Sequence, residues 1–211
     1  MKTFFGAAAA LALMSSAALA APVSVETYDM VNGTTGSFNY WDDTYDGTGD
    51  NTTDNALLSG GTGDLTDGII ADANWNSVEG PLGPNGPYVG WTIDPIITFN
   101  FASDVDFTSA TFHFDDSEVG GVDSPTGLNI NGVDFAIADP LTTDPFAVTV
   151  MLDAIAPTDQ LVVEIFRRSS WIFLSEVTFD GSTTAPVPLP AGGMLLLTAL
   201  GGMAVARRRK G

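Results

Sequence analysis

Trp171-Ile172-Phe173-Leu174-Ser175-Glu176-Val177-Thr178-Phe179 is the stretch on which the fold turns. It is dense in aromatic and β-branched side chains and has no Gly or Pro, the composition of a strand. It is also too apolar for an edge, so it reads as a central strand, as does Leu161 to Phe166. Working outward, Phe146 to Leu152 alternates cleanly and places Phe146, Val148, Val150 and Leu152 on one face. Ser109 to Phe114 does the same, with Ala110, Phe112 and Phe114 opposite Thr111 and His113. Ile96 to Phe101 is a further strand, and shorter ones are predicted at 128–131 and 133–137. No segment of 22–184 has the period of an amphipathic helix. About eight short strands separated by loops predict an all-β domain, a β-sandwich of jelly-roll type spanning 21–181. Residues 28–90 are rich in Gly, Asn, Thr and Asp. They predict long acidic loops wrapped on the sandwich, with one or two early strands. Loops of that length in a compact domain are usually functional or tied down by a ligand.

The 211 residues carry 26 Asp and Glu against 7 Lys and Arg, a formal charge of −19. Lys2, Arg207, Arg208, Arg209 and Lys210 sit at the two ends. Between them only Arg167 and Arg168 oppose all 26 acids, a formal −24. Such a surface excludes nucleic acid as a partner, because phosphate contacts need basic residues. With no Cys there is neither a disulfide framework nor a zinc–thiolate site. The single His, His113, rules out a multi-histidine metal centre, and no Gly-x-Ser-x-Gly elbow accompanies it. A partly exposed structural His is the expectation there.

The ends read as addresses. Residues 1–20 have a positive start, an apolar stretch from Phe4 to Leu13, and small residues at Ala18 and Ala20. This is a secretory signal peptide. Residues 182–186 form a Ser/Thr/Pro linker. Beyond it, Leu189 to Ala206 is uncharged and long enough to span a bilayer, and Arg207, Arg208 and Arg209 fix its cytoplasmic side. The plain reading is a membrane anchor. The order Val187-Pro188-Leu189-Pro190-Ala191, short helix at 189–206 and Arg cluster resembles the VPLPA-CTERM sorting signal, a PEP-CTERM variant. That resemblance implies an exosortase-type membrane protease as partner and a transient inner-membrane intermediate. Release to the cell surface or extracellular matrix of a Gram-negative bacterium would follow.

Within the domain, Leu65-Thr66-Asp67-Gly68, Trp75, Tyr88-Val89-Gly90-Trp91 and the 96–101 strand resemble the opening of a galactose-binding-like (discoidin-type) jelly roll. His113 to Asp116, Gly120 to Val122 and Ser124-Pro125 resemble its middle, and Ser175-Glu176-Val177 its last strand. In this family the Asp-Gly loop and the last-strand Glu share a structural Ca²⁺. The resemblance therefore implies Ca²⁺ as cofactor, with Asp67 and Glu176 as ligands and Asp72 or Asn74 adding another. Ile69 stands where the family places a second Asp.

The residues bear on this independently. Glu176 shares parity with Ile172 and Leu174, and a buried carboxylate needs a compensating charge. The alternative is a solvated Glu at a strand bulge. The acidic run Asp42, Asp43, Asp46, Asp50 and Asp54 resembles half an EF-hand loop. It lacks the position-12 Glu, so a solvated acidic loop is expected. Trp75 and Trp171 are expected in the core. Trp41, Tyr88 and Trp91 lie nearer loops as candidate sugar-stacking residues, with Arg167 as a candidate for acidic sugars. The functional expectation is an exported, non-catalytic surface or matrix protein that binds exopolysaccharide. The alternatives are a polysaccharide hydrolase, or a purely structural matrix or adhesive component.

Overall fold

A computed structural model describes residues 20–80 and 86–183. The signal peptide with Ala18, and the sorting segment from Val187 to Arg209, lie outside the described residues. Among the described residues there are ten strands and one short helix. They are β1 (Ala21–Val23), β2 (Thr27–Val31), β3 (Leu57–Gly61), α1 (Trp75–Val78), β4 (Val89–Trp91), β5 (Ile96–Phe114), β6 (Pro125–Ile130), β7 (Val133–Ala136), β8 (Phe146–Met151), β9 (Thr158–Arg167) and β10 (Ile172–Thr183). All named strand pairs are antiparallel.

β5 organises the molecule. Its first part, Ile96 to Asn100, pairs with β2 on one side and β9 on the other. Its second part pairs with β10 and β8. The order β3-β2-β5-β9-β6-β7 therefore makes one layer, and β10-β5-β8, with β1 and β4 both on the outer edge of β10, makes the second. Phe99 from the first layer and Phe179 from the second meet at 5.0 Å between ring centroids, so the inner faces pack on each other. Phe101 and Phe107 close around the same Phe179. This core of Ile, Val, Leu and Phe runs the length of the sandwich.

The predicted strands at 96–101 and 109–114 are thus one strand of 19 residues. The intervening residues, Ala102 to Thr108, contain no Gly or Pro to force a turn, and Val105 and Phe107 are buried. A register irregularity between Asn100 and Val105 lets the strand change layers without breaking. β8 matches its predicted alternation. Ala110, Phe112 and Phe114 are buried, with His113 half-buried on the other face. β10 extends past the expected end of the sandwich. Ser182 and Thr183, read as linker, pair with Asp106 and Val105.

β1 pairs with the end of β10, Ala21 opposite Gly181. Both described ends of the chain leave the same pole of the sandwich. The opposite pole, where β10 begins, carries the loops.

Candidate functional site

At the loop pole a second cluster of buried rings sits apart from the main core: Tyr40, Trp75, Tyr88 and Phe173, with Phe38 and Trp171 packed on its rim. Tyr40 stands edge-on to Trp75, Trp171 and Phe173 at centroid distances of 5.6, 5.4 and 4.6 Å. Trp75 and Phe173 are stacked, and Trp171 lies nearly parallel to Phe173. A cleft of about 210 Å³ opens between Tyr40, Trp75, Trp171, Ser37 and Gly120. Two contacts hold its walls. The Asp115 carboxylate accepts the Trp75 N–H at 2.6 Å, anchoring the start of α1. Trp171 donates its backbone N–H to the Gly121 carbonyl. Gly120 adopts a positive φ of 68°, and a Cβ there would lie 3.3 Å from the Trp75 ring. This position needs glycine twice over.

The ligand-binding candidates read from the sequence are placed differently. Trp91 is 0% exposed, sits in β4 opposite Ile172, and donates its indole N–H to the Val31 carbonyl. Tyr88 is buried with its hydroxyl on the Ala73 carbonyl. Neither offers a face to a sugar. Their position near loops suggested exposure, but Tyr88 lies one residue before a fully buried strand and Trp91 ends it. Trp41 is half-buried and donates to Asp54 at 2.7 Å. Arg167 pairs with Asp94 at 2.9 Å. Trp171, expected in the core, is only half-buried and forms a wall of the cleft.

Glu176 and the Asp67–Gly68 turn converge. Gly68, at a φ of 85°, donates its N–H to Glu176 at 3.0 Å. Glu176 is 3% exposed, so it is not a solvated bulge residue, although the register does shift between Leu174 and Glu176. Burial, with Asp67 adding repulsion, pushes its carboxyl up to about 7. Arg167 and Arg168 are engaged elsewhere, with Asp94 and with Asp123 and Asp139. The Asn74 side chain donates to the Thr143 carbonyl, while its Oδ1 is buried without a hydrogen-bond partner. Among the described residues Glu176 is thus a buried carboxylate with no ion-pair partner, and Asn74 Oδ1 is an orphaned amide oxygen; both are hard oxygen donors of the kind Ca²⁺ takes. Asp67 and Asp72 are exposed, and the Asp67 carboxylate accepts the Ile69 N–H of its own turn. Among the described residues, Asp67, Asp72 and Glu176 are not a group that brings three carboxylate oxygens within 4.8 Å of one another.

The acidic run at 42–54 is solvated, as expected, at Asp46, Asp50 and Asp54, whereas Asp42 departs from it. Asp42 is buried and accepts from the Tyr28 hydroxyl and the Asp64 N–H. A Cβ on Gly63 would lie 2.2 Å from the Asp42 carboxylate, so this close approach requires glycine. Asp46 accepts the Thr62 N–H at 2.7 Å, Asp50 ties down its own turn through the Thr52 N–H, and Asp54 holds Thr35 and Trp41. Burial pushes Asp42 up to about 6 and Asp64 up to about 8, Asp42 adding repulsion in the second case. Glu79, buried against the Tyr88 N–H, is pushed up to about 7.

A two-layer antiparallel sandwich with its functional loops gathered at one pole defines the class: a galactose-binding-like jelly roll. The family model described as the discoidin domain-containing receptor 1/2, DS-like domain matches residues 24–181, and the chain belongs to that family. Similar solved structures include the family 32 CBM from C. perfringens NanJ in complex with galactose, 12% identical over 44% of this chain and 75% of that one, with a TM-score of 0.31. Another is GH31 CBM32-2 bound to GalNAc, 12% identical over 55% of this chain and 90% of that one, TM-score 0.32. A third is a truncated AlyQ with CBM32 and alginate lyase domains, 8% identical over 82% of this chain and 37% of that one, TM-score 0.40. No curated protein matches. Among the described residues no helix is long and apolar enough to cross a membrane.

Proposed function

We propose that this domain is a non-catalytic glycan-binding module of an exported surface or matrix protein. The observation that carries the reading is the cleft between Tyr40, Trp75 and Trp171. Of its rings the half-buried Trp171 offers a face that suits the C–H side of a sugar, with Tyr40 and Trp75 packed behind it and Ser37 and Gly120 also lining the cleft. At about 210 Å³ it is smaller than the ~300–1,000 Å³ of drug-sized sites. It therefore takes one ring at the end of a glycan rather than the middle of a chain. The strong negative charge favours neutral sugars over uronic acids.

Calcium is the proposed structural cofactor at Glu176, with Asp67 and Asn74 as further ligands. When bound it supplies the positive charge that the buried Glu176 carboxylate otherwise lacks. Export and sorting follow from the sequence: the signal peptide delivers the chain, and an exosortase-type protease acts near Val187 to Ala191.

A glycan array probed with the full chain in calcium tests the central reading. Binding that is lost in Trp171→Ala, with folding retained, is the expected result. Absence of binding to any glycan overturns it in favour of a purely structural role. Release of reducing ends from exopolysaccharide overturns the non-catalytic part. Chelation by EDTA is expected to lower Tm in the wild type and to do so less in Glu176→Gln. Replacing Pro188 and Pro190 with Ala is expected to leave full-length protein in the inner membrane, and normal release refutes the exosortase assignment.

A further inference from the structure

A different cluster of acids lies on the other side of the cleft loop. Asp116 follows β5, Asp123 precedes β6, and Asp139 follows β7. Each places a carboxylate oxygen within 4.8 Å of the other two. Asp116 is 1% exposed; its Oδ1 accepts the Ser124 N–H at 2.7 Å, whereas its Oδ2 is buried with no hydrogen-bond partner among the described residues. A carboxylate oxygen removed from water and left unsatisfied is costly, and this one belongs to a side chain packed beside two further carboxylates.

Arg168 is the protein's own cation here. Its Nε lies 3.4 Å from Asp123 and 3.6 Å from Asp139, and it donates to the Ser124 hydroxyl at 3.1 Å. Its Nη2 donates to the carbonyls of Pro125 and Ile137. Arg168 touches the two outer carboxylates and has no ion pair with Asp116. Three carboxylates and one guanidinium leave a formal −2, which one divalent cation would balance. The Ser124 hydroxyl, 3.0 Å from Asp139, is a neutral oxygen at the same place. An all-oxygen set drawn from three loop ends, with Asp139 exposed to solvent, suits Ca²⁺ better than a metal that requires nitrogen or sulfur.

We propose that Asp116, Asp123 and Asp139 bind a calcium-class divalent cation that fastens the 115–124 loop to the segment after β7. That loop also supplies Gly120 and Val122 to the aromatic cleft and receives the Trp171 N–H through Gly121. The cation would therefore set the shape of one cleft wall. The site does not depend on the Glu176 assignment, which involves different residues on different loops.

Calcium titrated calorimetrically into EDTA-stripped full chain tests it. Three proteins are compared: wild type, the double variant Asp123→Asn/Asp139→Asn, and Glu176→Gln. The double variant is expected to lose one equivalent of bound calcium, or to bind it at least tenfold more weakly, while Glu176→Gln retains that equivalent. Equal stoichiometry and affinity in wild type and double variant overturn the proposal, as does a wild type that binds no calcium. Should the double variant fail to fold, Mn²⁺ soaked into wild-type crystals decides the matter by anomalous scattering. A peak within ligand distance of the three carboxylates supports the site, and an empty cluster overturns it.

Discussion

The main core and the ring cluster at the loop pole are both built from buried aromatic side chains, but their surroundings differ. The rings of Phe99, Phe101, Phe107 and Phe179 are surrounded by strands whose polar groups are consumed by ladder hydrogen bonds. The rings of Tyr40, Trp75 and Phe173 sit beneath loops, and buried carboxylates hold the backbone of the cluster, Asp115 at Trp75 and Glu79 at Tyr88. One region gains stability by excluding polar groups. The other holds carboxylates out of water and leaves a cleft open, as a site that takes a ligand must.

The largest expected break in that contrast is in the main core. Phe99→Ala is expected to cost about 3–5 kcal/mol in urea unfolding, because a ring shared by both layers leaves a cavity that strands cannot fill. Trp171→Ala, at a half-exposed wall, is expected to cost about 1–2 kcal/mol while removing glycan binding. If the two costs prove equal, Trp171 belongs to the core and the contrast is wrong.

Tyr28→Phe probes the seam between the regions. It removes the hydroxyl that donates to the buried Asp42 carboxylate. A loss of about 1–3 kcal/mol is expected, with Asp42 driven further up. NMR titration of the carboxyl carbon reads the second effect.

The acids give the loop pole a pH dependence opposite to that of ordinary salt-bridged carboxylates. Asp42, Glu79 and Asp64 are raised to about 6, 7 and 8 by burial, against roughly 4 in an unfolded chain. The folded state thus holds more protons than the unfolded state across that interval. Stability is fully present below pH ~4 and falls as pH rises toward ~8. In calcium-free buffer Tm is expected to be higher at pH 5 than at pH 8. A flat or rising profile between those values removes the electrostatic half of the comparison.

The smallest effect is expected at Arg167. Its ion pair with the exposed Asp94 makes Arg167→Ala worth about 0.2–1 kcal/mol at most, with glycan binding unchanged.

The two regions also differ in how far their residues declare themselves in the sequence. β8 and β10 are legible because alternation and apolar density are local properties. The continuity of β5 is not, since changing layers leaves no turn residue to read. Glu176 stands out because a single acid breaks an apolar run, and its meeting with Gly68 matches the family resemblance. The cleft is illegible in this way: Tyr40, Trp75 and Trp171 come from three separate stretches, and each alone looks like core. Tyr88 and Trp91 mislead for the opposite reason, because both lie near loops in the sequence while the ring cluster buries Tyr88 and β4 buries Trp91. Asp116, Asp123 and Asp139 are lost among 26 acids until three loop ends bring them together. A strand pattern is written at a period of two, whereas a loop site is written only in the topology.

The pairing of Ala21 with Gly181 has a mechanical consequence. From Ile172, beside the cleft, to Thr183 the strand rises roughly 36 Å at ~3.3 Å per residue. A tether at either described end therefore enters at the foot of the molecule, and the cleft loops stand a full domain height above it. Load applied between a surface and a bound glycan would run along β10, the strand that also carries Glu176. The same strand would transmit the pull, set the reach and position the Glu176 carboxylate.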